Sequence, residues 1–381
     1  MSQAPFVAQW GVLGCGWISS EFTKDVSRPM ASRGVTDVTH AIAAVGSRSL
    51  SKAEDFIAAN CPRGAAGQQD GLVGFKTKAY GSYKGVIDDP NVNIVYVGTM
   101  NMCHYEDAKL ALEGGKHCLL EKPATLNAAE WKHLVSIAKS KNLFLMEAVW
   151  TRFNPVMLAI QKAIHEDDVI GEIRCLYSDL SMDVYKKRED TDRLLAAELA
   201  GGALLDIGPY PLAWTMMILY RHPQNGRTAA EKVGSTMMKY HTGVDLATSF
   251  TMTFPKLNAI AYCTTNLLSA VQKHQNTRIV GSKGEILVQG YTSRPQKYIL
   301  RLFAKPEKEG GAFLPDETID MSFDGFGLYW EADAVARCLK DGLTECPEMP
   351  LDETLMTMEI FDNIRKEGGY EFSPGLEKVK S

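Results

Sequence analysis

The sequence predicts an α/β protein in which a doubly wound parallel sheet at the N-terminus is followed by an α+β domain with a large, mostly antiparallel open sheet. Strand-like and helix-like segments alternate through the N-terminal third, and a glycine motif directly follows the first strand candidate. Beyond residue 150, strand candidates follow one another with few helices between them. The chain of 381 residues is also longer than a single core usually supports. We therefore predict two domains, at residues 1–148 and 149–381.

The N-terminal third contains the alternating segments that a parallel sheet with crossover helices requires. The strand candidates are residues 9–13, 39–45, 94–98, 117–120 and 143–146. The helix candidates are residues 17–26, 50–59, 105–113 and 128–140. Residues 27–37 and the glycine-rich residues 63–74 interrupt the alternation, and we expect both to be surface insertions.

Strand candidates dominate the rest of the chain. They are residues 172–182, 231–240, 245–254, 258–265, 277–280 and 285–288. In the third of these, every second residue from Leu246 to Phe254 lies on one face, which is mostly apolar, so we expect that face to be buried. Helix candidates at residues 329–339 and 353–366 close the chain.

A small-residue variant of the Rossmann fingerprint, Gly-x-Gly-x-x-Ser, follows the first strand candidate. Gly14 permits a tight turn, and Gly16 lets the backbone approach a pyrophosphate closely. The small Ser19 keeps the next helix near the sheet, and the N-terminus of that helix attracts phosphate. The motif therefore predicts a Rossmann domain with cofactor contacts at Gly14, Gly16, Trp17 and Ile18. An ordinary glycine turn is the alternative.

The end of the second strand candidate is where a dinucleotide enzyme selects its cofactor. NAD enzymes commonly place Asp or Glu there, whereas this chain has Ser47 and Arg48, with Lys52 one turn later. These side chains suit the 2′-phosphate of NADP, because arginine pairs with phosphate and serine donates a hydrogen bond. The sequence predicts NADP, with a solvated loop arginine at Arg48 as the alternative. The interval from Gly16 to Ser47 is longer than the usual ~20 residues, which we attribute to the insertion at residues 27–37.

Charge and hydropathy exclude several other classes of protein. The net charge of -5 argues against a nucleic-acid-binding surface. No apolar run approaches the ~20 residues that span a bilayer, and the first residues do not form a signal peptide. We therefore expect a cytoplasmic protein without a membrane partner. The eight cysteines are scattered and form no Cys-x-x-Cys pair, so we predict no metal site.

Five segments, in order along the chain, resemble the glucose-fructose oxidoreductase / inositol dehydrogenase / MocA-type oxidoreductase family. They are residues 14–19, residues 99–104 (Thr-Met-Asn-Met-Cys-His), residues 121–123 (Glu-Lys-Pro), residues 147–155 (Glu-Ala-Val-Trp-Thr-Arg-Phe-Asn-Pro) and residues 201–210 (Gly-Gly-Ala-Leu-Leu-Asp-Ile-Gly-Pro-Tyr). The resemblance implies a Rossmann domain followed by a substrate-binding domain on an open sheet. It also implies that Lys122 lies beside the nicotinamide and the substrate, and that a motif beginning at Asp206 supplies the acid/base residue.

Two departures place the chain within that family. Met100 stands where the family's Thr-Pro-Asn loop has proline, which affects the stiffness expected of the loop. Tyr210 stands where many members have histidine, and in this respect the chain resembles the branch of dimeric dihydrodiol dehydrogenases and fungal NADP-dependent D-xylose dehydrogenases. The resemblance implies oxidation of a sugar at the anomeric carbon, with D-xylose as the first candidate substrate. A trans-dihydrodiol dehydrogenase and a non-catalytic NADP-sensing regulator are alternatives, and the presence of both Lys122 and Tyr210 favours an enzyme.

Oxidation of a sugar hemiacetal needs a base for the hydroxyl proton. Tyr210 can be that base if a nearby ammonium lowers its ordinary pKa of ~10, and Lys122 is the expected source of that charge. Asp206 is expected to orient Lys122 or a sugar hydroxyl. The alternatives are a solvated lysine, a core tyrosine and a helix N-cap at Asp206.

Further cofactor contacts follow from the resemblance. They are expected at Thr99, Asn101, His104, Glu121, Lys122, Trp150 and Arg152. For His104, a residue at the start of a helix below the cofactor loop is favoured over a catalytic base. Trp150 is either an aromatic wall for the substrate or a core tryptophan, and Arg152 is either a ligand contact or half of a structural ion pair. Because an open sheet with one apolar face needs a cover and family members pair through it, we also expect a homodimer.

Overall fold

The computed structural model describes residues 4–61, 76–270, 273–274, 276–305 and 311–380. The chain forms two compact units. The first contains Met1–Trp150, Asp324–Met358 and Glu377–Ser381, and the second contains Thr151–Phe323 and Glu359–Leu376. The first unit thus includes two segments from the C-terminal part of the chain that the sequence analysis assigned to residues 149–381.

The first unit is built on a parallel sheet covered by helices. Its strands are β1 (Phe6–Leu13), β2 (Val38–Gly46), β3 (Lys78–Tyr80), β4 (Ile94–Val97), β5 (His117–Glu121) and β6 (Leu145–Ala148). Its N-terminal helices are α1 (Trp17–Val26), α2 (Leu50–Asn60), α3 (Tyr83–Asp88), α4 (His104–Glu113) and α5 (Ala128–Ser140). Among the described residues the strand order is β3-β2-β1-β4-β5-β6, with every pair parallel. This order confirms the predicted Rossmann fold.

The second unit contains a larger sheet. Its helices are α6 (Pro155–His165), α7 (Ala203–Ile207) and α8 (Pro209–Thr215), and a π-helical turn (Met216–Tyr220) extends α8. Its strands are β7 (Ile173–Ser181), β8 (Lys232–Lys239), β9 (Asp245–Phe254), β10 (Ala259–Asn266), β11 (Thr277–Gly281), β12 (Gly284–Tyr291), β13 (Arg294–Leu302) and β14 (Glu317–Asp320). The described strands follow the order β14-β13-β12-β11-β7-β10-β9-β8. All pairs are antiparallel except β7 with β10, so the predicted, mostly antiparallel sheet is confirmed.

The two faces of this sheet differ in character. In β9, Leu246, Phe250, Met252 and Phe254 are buried, as their alternation predicts. Helix α7 packs on β9 and β10, and α8 packs on β7 and β10. On the opposite face, Tyr177 and Tyr262 stack with ring centroids 4.9 Å apart and remain 41% and 37% exposed. One face therefore forms the core of the second unit, and the outer face presents aromatic rings to solvent.

Two helices follow these strands, α9 (Tyr329–Lys340) and α10 (Leu351–Glu367). Helix α9 belongs to the first unit, where it packs against β1, β2 and α1. Within the ranges that the structure describes, no helix combines the length and the apolar character needed to cross a membrane. The expected cytoplasmic location stays a prediction.

Residues 27–37 are more than the surface insertion that the sequence predicts. They contain a 3₁₀ helix (Met30–Arg33) in which the Met30 side chain is buried. Arg33 forms an ion pair with Asp333 of α9, and its guanidinium lies 4.5 Å from the centre of the Tyr329 ring. These contacts anchor the segment to the first unit. The other expected insertion, residues 63–74, lies outside the described residues.

Asp333 also completes a buried hydrogen-bond chain that begins in β1. Trp10 Nε1 donates to His40 Nδ1 over 3.1 Å, and His40 Nε2 lies 2.8 Å from Asp333 Oδ1. Since indole nitrogen only donates, Nδ1 carries no proton and Nε2 donates to the carboxylate. Burial lowers the pKa of His40, although Asp333 acts in the opposite direction. The imidazole is therefore neutral in the folded protein.

The carboxylate of Asp25, at the end of α1, holds the start of α9. Its Oδ2 accepts the backbone N–H of Gly327 over 2.6 Å and that of Leu328 over 2.9 Å, and both carboxylate oxygens lie 3.0 Å from the Phe326 nitrogen. Leu328 is the N-cap of α9, so its N–H is one of those that a helix N-terminus leaves without an intrahelical partner, and Phe326 and Gly327 lie in the turn just before the helix. Asp25 is 1% exposed, so water does not replace these bonds.

We predict that Asp25→Ala destabilises the first unit strongly. Each buried N–H left without an acceptor costs about 1–3 kcal/mol, so the loss in unfolding free energy should reach about 3–5 kcal/mol. Urea unfolding followed by tryptophan fluorescence measures it. Glu21→Gln is the control, because it removes only a surface pair with Lys24 and should change the free energy by less than about 0.5 kcal/mol. Equal losses in the two variants would contradict the capping role.

Candidate active site

The turn between β1 and α1 brings three backbone segments into close contact. Gly14 has φ +91°, and a side chain there would lie 2.9 Å from the carbonyl oxygen of Gly98. The same oxygen accepts the Ser19 hydroxyl over 3.2 Å. Gly14 is thus required by conformation and by packing, and the buried Ser19 holds α1 against the end of β4.

Gly16 has a different reason to be glycine. Its φ is −84°, which other residues adopt, and a side chain there would meet no heavy atom closer than 4.0 Å. Gly16 is the N-cap of α1, where no described side chain caps the helix and the first turn carries no acidic residue. The helix begins with Trp17, 64% exposed, and the half-buried Ile18. Its N-terminal N–H groups and the space beside Gly16 fit a pyrophosphate.

The carboxyl end of β2 is free of acidic residues from Gly46 to Ala53. Ser47 is buried and donates its backbone N–H to Tyr80 over 3.1 Å, while Arg48 and Lys52 are exposed. Burial raises the pKa of the Cys15 thiol, whereas its hydrogen bond with Ser47 and the charge of Lys52 act in the opposite direction. Cys15 of the glycine motif therefore lies within hydrogen-bond reach of Ser47 and within the electrostatic range of Lys52. This set suits a ribose phosphate better than ribose hydroxyls.

The loop after β4 keeps the shape that proline would impose. Met100 has φ −77° and ψ 148°, close to the polyproline conformation, although proline is absent. The half-buried Thr99 precedes it, and Asn101 begins a 3₁₀ helix (Asn101–Cys103) that leads into α4. The replacement of proline by Met100 therefore leaves the backbone path of the loop extended.

Lys122 follows β5 directly and is half-buried. The Glu121 carboxylate before it is buried, accepts the Tyr96 hydroxyl over 2.6 Å and accepts the backbone N–H of Lys122 over 3.2 Å. Glu121 thus holds the backbone of Lys122 at the end of the strand. The structure gives it this supporting position, and its contact with a cofactor stays a prediction.

Two residues from other elements fix the loop that contains Lys122. The buried His104 lies with Nδ1 2.7 Å from the Pro123 carbonyl oxygen and Nε2 3.2 Å from the Thr99 carbonyl oxygen. Glu147 of β6, also buried, accepts the Ala124 N–H over 3.0 Å. His104 therefore ties the cofactor loop to the lysine loop. This position agrees with a residue at the start of a helix. Glu147 is the first residue of the motif at residues 147–155, and its support of the lysine loop is a role that the sequence did not predict.

Aromatic rings gather near the β1–α1 turn. The centroid of Phe326 lies 5.1 Å from that of Trp17 and 5.0 Å from that of Trp150. Trp150 is 2% exposed, and its role as a substrate wall stays a prediction. Phe326 carries no motif and is distant in sequence from both tryptophans, which explains why sequence reasoning missed it.

Within the second unit, Asp206 and Tyr210 lie one turn apart, in α7 and at the start of α8. Asp206 is 4% exposed and forms a bidentate ion pair with Arg193, whose Nη1 and Nη2 donate over 2.6 Å and 3.4 Å. The Asp206 charge raises the pKa of Arg193, and Tyr210 contributes in the same direction. Arg193 is thus a charged group beside Tyr210 that the sequence analysis missed, since it lies in a charged run without a motif.

The alternative of a helix N-cap at Asp206 is wrong. Gly202 is the N-cap of α7, and Asp206 lies within the helix with its carboxylate on Arg193. Tyr210 is 7% exposed. Arg152 is 2% exposed, and both its predicted ligand contact and the alternative of a structural ion pair stay predictions.

The structure brings the predicted cofactor residues of the first unit to the carboxyl ends of β1, β2, β4 and β5. It brings Asp206, Tyr210 and Arg193 together within the second unit. The predicted partnership of Lys122 with Tyr210 joins residues of different units and stays a prediction.

A doubly wound sheet with a glycine turn and an open helix N-terminus defines a dinucleotide-binding protein. Residues 8–149 match the model of the oxidoreductase family with an NAD-binding Rossmann fold, and residues 158–287 match that of the GFO/IDH/MocA C-terminal domain. The chain belongs to this oxidoreductase family. The resemblance seen in the sequence is thereby confirmed.

Individual relatives are similar over nearly their full length. D-xylose 1-dehydrogenase (NADP(+)) from Hypocrea jecorina is 38% identical, over 97% of this chain and 94% of the relative. Human trans-1,2-dihydrobenzene-1,2-diol dehydrogenase is 31% identical, over 96% and 98%. The crystal structure of aldose-aldose oxidoreductase from Caulobacter crescentus complexed with glycerol has a TM-score of 0.73 at 21% identity, over 95% and 97% of the two chains. This last likeness is one of fold.

The two motif glycines should respond differently to a methyl group. Gly14→Ala combines a positive φ with contact on Gly98, so we expect it to lower the unfolding free energy by about 2–4 kcal/mol. Gly16→Ala should change stability by less than about 0.5 kcal/mol and weaken dinucleotide binding at least about tenfold, because it fills the space for the pyrophosphate. Thermal unfolding and titration calorimetry measure the two effects. A stable Gly16→Ala protein with unchanged dinucleotide affinity would contradict this assignment.

Proposed function

We propose that this protein is an NADP-dependent dehydrogenase that oxidises an aldose to its lactone at the anomeric carbon. D-xylose is the first candidate substrate. The observation that carries the proposal is 38% identity to a D-xylose 1-dehydrogenase (NADP(+)) over 97% of the chain. Bound NADP would supply the nicotinamide that accepts the hydride from the anomeric carbon. The chain's own residues bind both molecules, orient them and take up the hydroxyl proton.

The end of β2 supports the choice of NADP over NAD. Arg48 and Lys52 are exposed cations, Ser47 supplies a hydroxyl, and the sequence from Gly46 to Ala53 contains no Asp or Glu to bond a ribose hydroxyl. Gly14 and Gly16 with the start of α1 would hold the pyrophosphate. The Thr99 and Asn101 loop, tied by His104 to Pro123, would hold the cofactor beside Lys122.

Tyr210 is the proposed base, and Lys122 is its proposed electrostatic partner. Arg193 adds support from the second unit, because a guanidinium near Tyr210 stabilises negative charge on the phenol oxygen. The Asp206 carboxylate holds that guanidinium in place through two hydrogen bonds. Glu121, His104 and Glu147 fix the backbone around Lys122, so its ammonium needs little reorganisation during the reaction.

A trans-dihydrodiol dehydrogenase is the second candidate, favoured by 31% identity to the human enzyme over 96% of the chain. Both reactions remove a hydride from carbon and a proton from its hydroxyl group, so the same acid/base residues serve either substrate. A panel of aldoses and trans-diols, each with NADP and with NAD, decides between them by absorbance of the reduced nicotinamide. Turnover of D-xylose with NADP supports the proposal, and no turnover with any aldose contradicts it.

Cofactor selectivity gives one prediction. Arg48→Ala should weaken NADP binding by about 1.5–3 kcal/mol and change NAD binding little, since only NADP carries the 2′-phosphate that Arg48 would pair with. Calorimetric titration with each cofactor measures the difference. Equal losses for NADP and NAD would remove Arg48 from the phosphate site.

Catalysis gives another prediction. Tyr210→Phe should leave NADP affinity nearly unchanged and lower turnover by about 10²–10⁴-fold, the usual contribution of general acid–base catalysis. Lys122→Met should also lower turnover severely, and the double variant should be little worse than the single variants, because residues that act as one unit are strongly non-additive. Steady-state kinetics of the three variants checks both points. Near-normal turnover of Tyr210→Phe would make His104 or Asp206 the next candidate base.

The outer face of the second sheet supports a homodimer. The stacked Tyr177 and Tyr262 rings lie exposed on this face, beside the small hydroxyl side chains Thr251 and Thr264 on β9 and β10. An exposed sheet face with stacked aromatic rings and small side chains suits an interface with its own copy. We expect light scattering to give a dimer at micromolar concentration and Tyr262→Asp to give a monomer. Leu343→Asp, at an exposed apolar residue of the first unit, should remain dimeric, and a monomeric wild type would contradict the proposal.

A further inference from the structure

We propose that Asp245 is a positioning residue for the reaction: its buried carboxylate fixes the turn at Gly202 and the start of α7, the helix that carries Asp206 and leads into Tyr210. The inference rests on the proposed function, in which these two side chains act on the substrate. Asp245 is the first residue of β9, which pairs with β10 on one side and β8 on the other, so its position is set by the second sheet.

The carboxylate holds α7 through a helix donor. Asp245 Oδ2 accepts the backbone N–H of Leu204 over 2.8 Å and the Thr248 hydroxyl over 2.8 Å. Leu204 is the second residue of α7, so its N–H is one of those that the helix leaves without an internal acceptor. Asp245 is 0% exposed, and this bond is therefore shielded from water.

The turn before α7 is shaped around the same carboxylate. Gly202 has φ +113°, and a side chain there would lie 2.1 Å from Asp245 Oδ1. The Gly202 N–H donates to the Leu194 carbonyl over 2.8 Å, and the Tyr370 hydroxyl donates to the Gly201 carbonyl over 2.7 Å. The two glycines are therefore required by packing within the second unit. The turn is fixed from three directions, one of which is Asp245.

Fold stability does not explain a carboxylate at this position. Burial raises the pKa of Asp245 to about 6, even though Thr248, Leu204 and Arg365 act in the opposite direction. Because the folded-state pKa lies above the ordinary value of 3.8, the stability contribution of this carboxyl falls as pH rises from about 4 to about 6, and above that range its ionised form destabilises the fold. Oδ1 has no hydrogen-bond partner in the part of the chain that the structure describes. A costly buried group that holds the helix of Asp206 is typical of a functional site.

Asp245 is linked to Asp206 and Tyr210 through the backbone of α7. Loss of its acceptor should therefore change the rate of the chemical step, while NADP binding, which belongs to the first unit in the proposed function, should persist. A residue that merely stabilises the fold would show no dependence on whether Tyr210 is present. This difference can be measured by double-mutant kinetics.

The experiment compares Asp245→Ala in the wild-type and in the Tyr210→Phe background, with aldose and NADP. Asp245→Ala should lower kcat by about tenfold or more in the wild type, with the KM for NADP within about twofold, and by less than about twofold in Tyr210→Phe. Asp245→Asn keeps an acceptor for the Leu204 N–H and should restore kcat to within about threefold of wild type. Thr277→Val removes a buried hydroxyl bond to Ser178 elsewhere in the sheet and is the control, with kcat within about twofold.

An equal loss of kcat in both backgrounds, or a change below about twofold in the wild type, would overturn the inference. If Asp245→Ala does not fold, Thr248→Val takes its place, since it removes one donor to the carboxylate with little change in volume. The same comparison then applies, with an expected loss of about threefold in the wild type only. Near-normal turnover of Tyr210→Phe alone is a different outcome, because it contradicts the proposed function and leaves the geometry at Asp245 untouched.

Discussion

The first unit depends on the close approach of backbone at the carboxyl ends of β1 and β4. A side chain at Gly14 would lie 2.9 Å from the Gly98 carbonyl, and one at Gly98 would lie 2.3 Å from the Ser19 hydroxyl. Three small residues therefore allow α1 to begin directly against the sheet. Since the helix starts there without a side-chain cap, its N–H groups face the space beside Gly16. The same approach sets the start of the loop that carries Thr99 and Asn101.

Side chains of neighbouring elements then fix the loops around this site through hydrogen bonds to backbone atoms. His104 contacts the carbonyls of Thr99 and Pro123, and Glu147 accepts the N–H of Ala124. In the second unit, Asp245 likewise accepts a hydrogen bond from the backbone of α7. In both units a buried polar group from a neighbouring element orients the backbone next to a candidate catalytic residue. Such supports cost free energy of burial, which is offset by the precision they give to the site.

The elements and motifs whose sequence pattern is local could be predicted from the sequence. The buried run of β2, the alternation in β9 and the motifs around Gly14 and Lys122 are each contained within a few residues. β3 and α3 were missed because three and six residues are too short to show a period. α6 could have been found, since Asn154 caps it and proline follows as its first residue. Arg193, Glu147 and Phe326 act through contacts distant in sequence, and no spacing rule reveals them.

The first unit is assembled from segments that lie far apart in the chain, and this affects how it folds during synthesis. Asp333 of α9 contacts His40 and Arg33. Asp25 accepts hydrogen bonds from backbone N–H groups that start at Phe326, just before α9. A ribosome delivers these groups only after it has synthesised the whole large sheet of the other unit. Until then, Asp25 and His40 lack the partners that satisfy them in the native state. A nascent chain that ends before α9 therefore leaves the face of the first unit that α9 covers in the native state without its partner helix.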